Sequence, residues 1–178
     1  MANSMKRTRK WPAAVLGAAA LMGAPALAAA QSMTINLGAG LGTGLEVGRG
    51  AAVVARHSPT FVAVHAGLLL DNDQRFELGL GLLLELEGRV GVALEPQLRL
   101  RLPSTRRVSG YAMAGLPLFL SPYTLYGVSV GPGVLVKLWG PLHGYAEVLF
   151  RCYPFGNDLP ESGMLFHLDG VVGVRHAF

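Results

Sequence analysis

Positions 76–87 read FELGLGLLLELE, and positions 90–102, after a turn at Gly88, read VGVALEPQLRLRL. Every even-numbered position in both stretches is apolar, whereas the odd-numbered positions carry mostly Glu, Gln, Arg, Gly and Ala. Successive side chains of a β-strand point to opposite faces, so this period of two predicts two antiparallel strands. Each strand has one wholly apolar face and one face of charge and glycine.

The same alternation recurs through the chain after residue 31, and turn-forming pairs such as Gly140-Pro141 interrupt it. No stretch there approaches the roughly 20 continuous apolar residues that a membrane-spanning helix needs. About eight strands separated by turns are typical of an all-β fold, the transmembrane antiparallel up-and-down β-barrel. The fifth strand is the least regular, because Pro117 interrupts it. The predicted strands are about 33–48, 61–70, 76–87, 90–102, 109–119, 125–138, 142–151 and 164–178.

The polar faces of these strands carry charges of both signs, interspersed with glycine. An eight-stranded barrel has a narrow lumen that side chains fill, and opposite charges can pair there. Lys137 is the only lysine after residue 30, whereas a water-exposed β-surface usually carries several. We therefore expect the polar faces to line the lumen and the apolar faces to meet lipid. The charged residues concerned are Glu46, Glu77, Glu85, Glu95, Glu147, Asp169, Arg99, Arg101, Lys137, Arg151 and Arg175.

The first thirty residues have the layout of a secretory signal peptide. Four Lys and Arg residues at 6–10 precede an Ala-rich apolar stretch, and three alanines at 28–30 supply a cleavage site. The chain has 15 Lys and Arg against 11 Asp and Glu, but four of those cations lie in this segment. The barrel domain, residues 31–178, is therefore neutral and lacks the basic patch that nucleic-acid binding requires. Its single cysteine, Cys152, excludes an intramolecular disulfide.

The chain ends Val172-Gly173-Val174-Arg175-His176-Ala177-Phe178. A terminal Phe after alternate apolar positions resembles the C-terminal signal of bacterial outer-membrane barrels, although His176 stands where that family usually has an apolar or aromatic residue. As a whole, the mature chain resembles the small eight-stranded outer-membrane barrels of Gram-negative bacteria as a class. This resemblance implies a location in the cell outer membrane, contact with its lipid, and recognition of the strand ending at Phe178 by the barrel-insertion machinery.

Aromatic residues and connections give a coarser indication of how the barrel is placed. The aromatic residues lie near predicted strand ends, where membrane barrels carry interfacial girdles, although any β protein can have aromatics near its turns. If the barrel begins in the periplasm, the connections at 49–60, 87–89, 120–124 and 152–163 face outward. The second of these is unusually short for an external loop. The aromatic residues concerned are Tyr111, Tyr123, Tyr126, Trp139, Tyr153 and Phe155.

No catalytic, cofactor-binding or metal-binding residue is predicted. His57 and Ser58 are the nearest approach to a nucleophile and its base, but neighbouring residues of an extended segment point opposite ways. Three further histidines could face the lumen near carboxylates and bind a metal or relay protons. A hydrogen-bonded lumen network is the simpler interpretation. The residues of this second group are His65, His143, His167, Glu147 and Asp169.

The predicted protein is thus a monomeric, non-enzymatic barrel with a packed lumen, which acts structurally or through its loops. Eight strands leave too little bore for a porin-like channel. Two alternatives stay open. One is a lipid-modifying outer-membrane enzyme that uses His57 and Ser58, and the other is a soluble periplasmic barrel that holds an apolar ligand inside.

Overall fold

The computed structural model describes residues 34–49, 53–70, 75–88, 90–103, 107–157, 159 and 163–178. The predicted signal peptide lies outside these residues. The described chain forms nine β-strands: β1 (Thr34–Arg49), β2 (Val53–Leu69), β3 (Phe76–Glu85), β4 (Val92–Arg101), β5 (Val108–Gly115), β6 (Leu118–Ser121), β7 (Leu125–Trp139), β8 (Leu142–Gly156) and β9 (Met164–Ala177).

These strands form one closed antiparallel sheet. β1 pairs with β2 and also with β9, the last strand of the chain, so the sheet has no free edge there. β5 and β6 both lie between β4 and β7, so together they occupy one strand position. The ring therefore has eight positions connected up and down, and the predicted fold class and strand number are confirmed.

The fifth strand position is split at Leu116 and Pro117. Proline has no N–H to donate to a sheet, but the Pro117 carbonyl accepts a hydrogen bond from the Gly127 N–H at 3.0 Å. The Leu116 N–H donates to the Pro96 carbonyl, also at 3.0 Å. Pro117 and Phe119 stay buried on the lumen side while Leu116 stays exposed, so the alternation of facing continues across the break.

Several strands run further than the sequence pattern predicts. β2 begins at Val53 rather than near residue 61, and β8 continues to Gly156 rather than ending near residue 151. The predicted connection at 49–60 is therefore largely strand, and the first five residues of the one at 152–163 belong to β8. The connection between β3 and β4 was predicted at 87–89 but is longer. It covers residues 86–91, because β3 ends at Glu85 and β4 begins at Val92.

A β-bulge explains why the start of β2 was missed. The register between β1 and β2 shifts between Gly42 and Gly44, which pair with Phe61 and Ser58. Ser58 and Phe61 are both buried although they are three residues apart. A bulge inserts an extra residue and so breaks the period of two that identifies a strand.

The barrel wall is apolar outside, whereas its inside carries charged and polar side chains together with a cluster of buried apolar ones. Leu, Val, Ile and Phe side chains project outward along all strands, with exposed fractions such as 49% for Leu80 and 51% for Val130. Among the outward strand positions whose side chains the structure describes, none is Asp, Glu, Lys or Arg. The charged strand residues whose side chains the structure describes point inward instead. This overturns the alternative of a soluble barrel with an apolar interior, because that alternative needs the opposite facing.

The part of the chain that the structure describes holds no helix long and apolar enough to cross a membrane.

Candidate ligand site in the lumen and at the loop end

The two ends of the barrel differ in what they carry. We call the loop end the one with the connections β1–β2, β3–β4, β6–β7 and β8–β9. The terminal end carries the connections β2–β3, β4–β5 and β7–β8, together with the first and last strand residues, Thr34 and Ala177. The predicted outward connections all fall at the loop end.

Five charged side chains fill the lumen towards the terminal end, and we call them the terminal-side ion cluster: Glu77, Arg99, Arg101, Glu147 and Arg175. Glu77 is its centre, and this residue is 0% exposed. Arg175 donates to both Glu77 carboxylate oxygens at 2.9 Å. Arg101 donates to Glu77 at 2.6 Å and Arg99 at 3.3 Å. Arg99 also donates to Glu147 at 3.2 Å. Three guanidinium groups thus face two carboxylates, a surplus of positive charge.

Two neutral side chains complete this cluster, and glycine gives them room. Arg175 Nε donates to His65 Nε2 at 3.1 Å, so that nitrogen is an acceptor and His65 is the neutral tautomer with its proton on Nδ1. The Tyr111 hydroxyl donates to Glu147 Oε1 at 2.5 Å. A Cβ atom at Gly38 would lie 2.3 Å from the His65 ring, and one at Gly133 would lie 2.3 Å from the Tyr111 ring.

A second cluster lies nearer the loop end, and we call it the loop-side ion cluster: Glu95, Arg151 and Asp169. Arg151 Nη1 donates to Asp169, and its Nε lies 3.8 Å from Glu95 Oε1. The Ser129 hydroxyl donates to Glu95 at 2.6 Å, and the Ser58 hydroxyl donates to Asp169 at 2.8 Å. One guanidinium group faces two carboxylates here, a surplus of negative charge. The two clusters together hold four cations and four acids, as the charge balance of the sequence predicted.

Little space remains between these side chains. Two cavities in this part of the lumen measure about 10 Å³ each, which is about the volume that one water molecule needs. Arg99, Glu77, Glu95, Leu149 and Tyr153 are among the largest fully buried side chains. This part of the described lumen is therefore filled by side chains and contains no continuous channel.

Above the loop-side ion cluster the lumen opens into a cavity of about 670 Å³, which we call the loop-end cavity. Its aromatic side has the Phe119 and Tyr123 rings stacked with centroids 5.2 Å apart, and Phe119 also meets the Tyr153 ring edge-on. The Tyr153 ring in turn contacts His167, at 5.2 Å between centroids. The lining includes Glu46, Arg56, His57, Glu85, Glu87, Phe119, Tyr123, Leu125, Leu165 and His167.

The carboxylates of the loop-end cavity are bound unequally. Glu46 accepts a hydrogen bond from Arg56 Nε at 2.7 Å, and Arg56 Nη2 lies 2.6 Å from the same oxygen. Glu85 is buried and accepts a hydrogen bond from the Tyr123 hydroxyl. No described Lys or Arg side chain forms an ion pair with Glu85. Among the described residues, neutral donors bind its carboxylate, namely the Tyr123 hydroxyl and the Gly91 backbone N–H.

Ser58 and His57 point in opposite directions, as predicted for neighbours on an extended segment, so they do not form a nucleophile–base pair. Ser58 points into the lumen towards Asp169, whereas His57 is largely exposed and lies at the rim of the loop-end cavity. The hydroxyl next to His57 is that of Thr43, which lies 2.9 Å from His57 Nε2. Only the register between β1 and β2 brings these two residues together, and a single sequence does not show that register.

A carboxylate stands on the other side of the His57 ring. Glu87 Oε2 lies 3.9 Å from His57 Nδ1, and Glu87 Oε1 accepts a hydrogen bond from the Thr60 hydroxyl at 2.7 Å. Hydrogen bonds from Thr60 lower the pKa of the Glu87 carboxyl, so it is ionised at neutral pH. The rim of the loop-end cavity thus brings a hydroxyl, an imidazole and a carboxylate close together, the set of groups that an activated nucleophile uses.

The other three candidate histidines do not meet. His65 belongs to the terminal-side ion cluster, and His167 lies at the loop-end cavity. His143 lies beside the β7–β8 turn, where Nδ1 is 3.1 Å from the Pro141 carbonyl. Among the described residues, no three His, Cys, Asp or Glu side chains are arranged to hold a metal ion. Cys152 is a free, half-buried cysteine.

The girdle interpretation of the aromatic residues is wrong for three of them, including Tyr123, which lines the loop-end cavity. Tyr111 and Tyr153 are buried in the lumen, at 3% and 0% exposure. Tyr126, Trp139 and Phe155 are exposed, as an interfacial position requires. Sequence position near a strand end does not distinguish the two cases, because facing depends on register as well.

A closed ring of eight antiparallel strands with a packed polar lumen and an apolar outer wall is the fold of the small outer-membrane β-barrels of bacteria. The resemblance drawn from the sequence is confirmed at this level. The chain matches no protein-family model, and no curated protein matches it in sequence.

Two solved structures carry the similarity. The N-terminal β-barrel domain of Pseudomonas aeruginosa OprF has a TM-score of 0.58 and 14% identity, covering 82% of this chain and 97% of that one. Neisserial surface protein A has a TM-score of 0.62 and 15% identity, covering 83% of this chain and 100% of that one. At such identities the similarity concerns the fold.

Proposed function

We propose that this chain is an integral protein of the Gram-negative outer membrane, a sealed barrel with a structural or interaction role at its loop end. The observation that carries the proposal is the facing of the wall. Among the strand residues whose side chains the structure describes, the outward positions are mostly apolar and carry no charge, and the charged residues are directed to the lumen or its mouths. This distribution is stable in a lipid bilayer, since a charge on the lipid face costs about 2–4 kcal/mol at the bilayer midplane.

The packed lumen supports a role without transport of solutes. Four cations and four acids pair inside the two ion clusters, and the spaces between them hold about one water each. A porin-like channel needs a continuous aqueous path, which wider barrels provide. We therefore propose a non-enzymatic, non-conducting barrel that works as a monomer and presents its loop end to the medium.

We also propose that the barrel-insertion machinery reads the C-terminal strand. β9 ends in alternating outward residues, and the Phe178 side chain is 69% exposed. The Phe178 N–H donates to the Ile35 carbonyl at 2.8 Å, which fixes the terminus beside β1 at the closing seam. The Phe178 ring lies against His176, with centroids 4.4 Å apart. This pair is available to a partner before the seam closes.

Fractionation and gel mobility test the proposal. The full chain is expressed in a Gram-negative host, and the outer-membrane fraction is run in SDS with and without boiling. Recovery in the outer membrane with a boiling-dependent shift is expected, with no steady conductance in planar bilayers. A protein in the soluble periplasm, or one without the shift, would refute the membrane-barrel proposal. A stable ion current would refute the sealed lumen.

A lipid-modifying enzyme is the second candidate, and one observation favours it. Thr43 and Glu87 flank His57 at the rim of the loop-end cavity, so a hydroxyl, an imidazole and a carboxylate lie close together there. In an ester hydrolysis, the Thr43 hydroxyl would attack the carbonyl and pass its proton through His57 to the leaving alcohol. Water would then release the acid from the acyl-enzyme.

Matched alanine variants separate the two candidates. Hydrolysis of a phospholipid or lipid A acyl ester is measured for the purified barrel in mixed micelles. The enzyme hypothesis expects Thr43→Ala and His57→Ala to abolish the activity while Ser58→Ala, which faces the lumen, retains it. No ester hydrolysis by the correctly folded protein would leave the non-enzymatic barrel as the function.

A further inference from the structure

The loop-end cavity has the size of a ligand site rather than of a packing defect. Its volume is about 670 Å³, and small-molecule sites measure about 300–1,000 Å³. The two ion clusters close it from below. Under the proposed function this cavity opens to the external medium, and the following inference rests on that orientation.

Charge in the loop-end cavity favours a cation. Among the described residues, three carboxylates line it, from Glu46, Glu85 and Glu87, against one guanidinium group, that of Arg56. Arg56 is bound to Glu46, at 2.6 Å. The loop-side ion cluster beneath adds a further surplus carboxylate. A buried carboxylate without a cationic partner is costly, and a bound cation would remove that cost at Glu85.

Aromatic rings lie beside these carboxylates. The Tyr123 ring stacks on Phe119, and the Tyr123 hydroxyl donates to Glu85. The face of an aromatic ring attracts a cation, and it also packs against the hydrocarbon part of a ligand. Leu125 and Leu165 extend the apolar side of the cavity. The cavity is therefore divided into an acidic side and an apolar, aromatic side.

An unsatisfied polar atom points to a ligand independently of the charge. The His167 side chain is 7% exposed and lines the cavity. Its Nε2 atom is buried and has no hydrogen-bond partner, since the nearest carboxylate oxygen, on Glu46, is 3.6 Å away. Buried polar atoms usually have a partner. A polar group of a ligand in the cavity would supply one.

We propose that the loop-end cavity binds an organic cation, an ammonium group attached to an apolar or aromatic body. The ammonium group would lie at Glu85 and replace the missing counter-charge. The apolar body would lie against Phe119 and Leu165, and a polar group on the ligand would reach His167 Nε2. Neutral and anionic molecules of the same shape would lack the first of these interactions.

Isothermal titration of the full-length protein, processed by the host and purified in detergent micelles, tests this with three probes of one shape. They are phenylethylammonium, its neutral analogue phenylethanol and its anionic analogue phenylacetate. Phenylethylammonium is expected to bind about tenfold or more tightly than either analogue, since a hydrogen bond to a charged group contributes at least this much. Equal binding of the three, or no binding of phenylethylammonium, would overturn the proposal.

Variants assign the binding to the cavity. Glu85→Gln keeps the shape and the Tyr123 contact but removes the charge, so it should weaken phenylethylammonium about tenfold and leave phenylethanol unchanged. Lys137→Gln changes a charge at the terminal end, where Lys137 is exposed, and should have no effect. Unchanged binding in Glu85→Gln would refute the assignment.

The mobility shift on boiling is recorded for every sample. A protein that shows the shift but does not discriminate the probes would refute the cation site and leave the membrane barrel standing. A wild-type protein without the shift would count against the proposed function itself. Phe119→Leu provides a second variant should Glu85→Gln lose the shift, because it trims the aromatic side and should weaken phenylethylammonium while the shift remains.

Discussion

The unequal charges of the terminal-side ion cluster lead to an asymmetric prediction for two of its members. Glu77 and Arg175 contact each other, yet replacing one should be far more costly than replacing the other. Glu77→Met leaves three buried guanidinium groups facing one carboxylate, Glu147. Arg175→Met leaves two guanidinium groups and two carboxylates, a balanced set. Methionine suits both variants because it is flexible and of similar length.

The contacts give the magnitude. Glu77 accepts four hydrogen bonds, from three arginines, at 2.6–3.3 Å, and it is 0% exposed. Removing one partner from a buried ionic set costs about 3–5 kcal/mol. Arg175→Met loses its own hydrogen bonds to Glu77, but Arg99 and Arg101 still bind that carboxylate. We expect a cost of about 2 kcal/mol, near the value of a hydrogen bond to a charged group.

Urea titration of the folded fraction, read from gel mobility before boiling, measures both costs. With a slope of about 2 kcal/mol per molar urea, Glu77→Met should lower the midpoint by about 2 M and Arg175→Met by about 1 M. The double variant should be more stable than Glu77→Met alone, because it removes one of the unpaired charges. Equal loss in the two single variants, or a double variant below both, would refute the charge argument.

Three further variants test the wall, a turn and the lumen packing. Leu80→Arg, on the outward face in mid-strand, should reduce stability by about 2–4 kcal/mol, and a change under about 1 kcal/mol would place that face outside lipid. Val90→Gly should stabilise the barrel by about 1 kcal/mol, since Val90 has a φ of 52° and β-branched residues disfavour that region; a loss of stability in the same titration would contradict this. Gly38→Ala should reduce stability by about 1–3 kcal/mol through overpacking against the His65 ring. Adding His65→Ala should restore part of that stability, and no restoration would show that the His65 ring does not cause the loss.

The facing of most strands was predictable from the sequence because it depends on a local period. The even-numbered residues point outward from Phe76 to Leu84 on β3 and from Leu94 to Leu100 on β4, as the alternation requires. The same pattern gave the lumen its charged residues. The period is interrupted at the bulge between Ser58 and Phe61, whereas at Pro117 the strand is broken but the alternation of facing continues. Because of the bulge, residues 53–60 of β2 were not predicted as strand. The Pro117 break divides one predicted strand into β5 and β6.

The pairing of charges and the candidate sites depend instead on register. Glu77 and Arg175 are 98 residues apart, and Thr43 and His57 lie on different strands. A shift of one strand by two residues would preserve every facing yet change all of these partners. The sequence could therefore show that a neutral set of charges would fill the lumen, but not that His57 would meet Thr43 rather than Ser58. The loop-end cavity was missed for the same reason.

The division of charge along the barrel connects the lumen to the loop-end cavity. The lumen as a whole is balanced, but its terminal half holds one surplus cation and its loop half one surplus carboxylate. These groups are buried, so salt screens them less than surface charges. A low-dielectric wall also concentrates their field towards the openings. A cation that approaches the loop end therefore meets Glu85 together with the surplus below it, while an anion is repelled by both. A barrel that only filled its lumen would have no need of this asymmetry, whereas one that binds a cation at its loop end gains affinity from it.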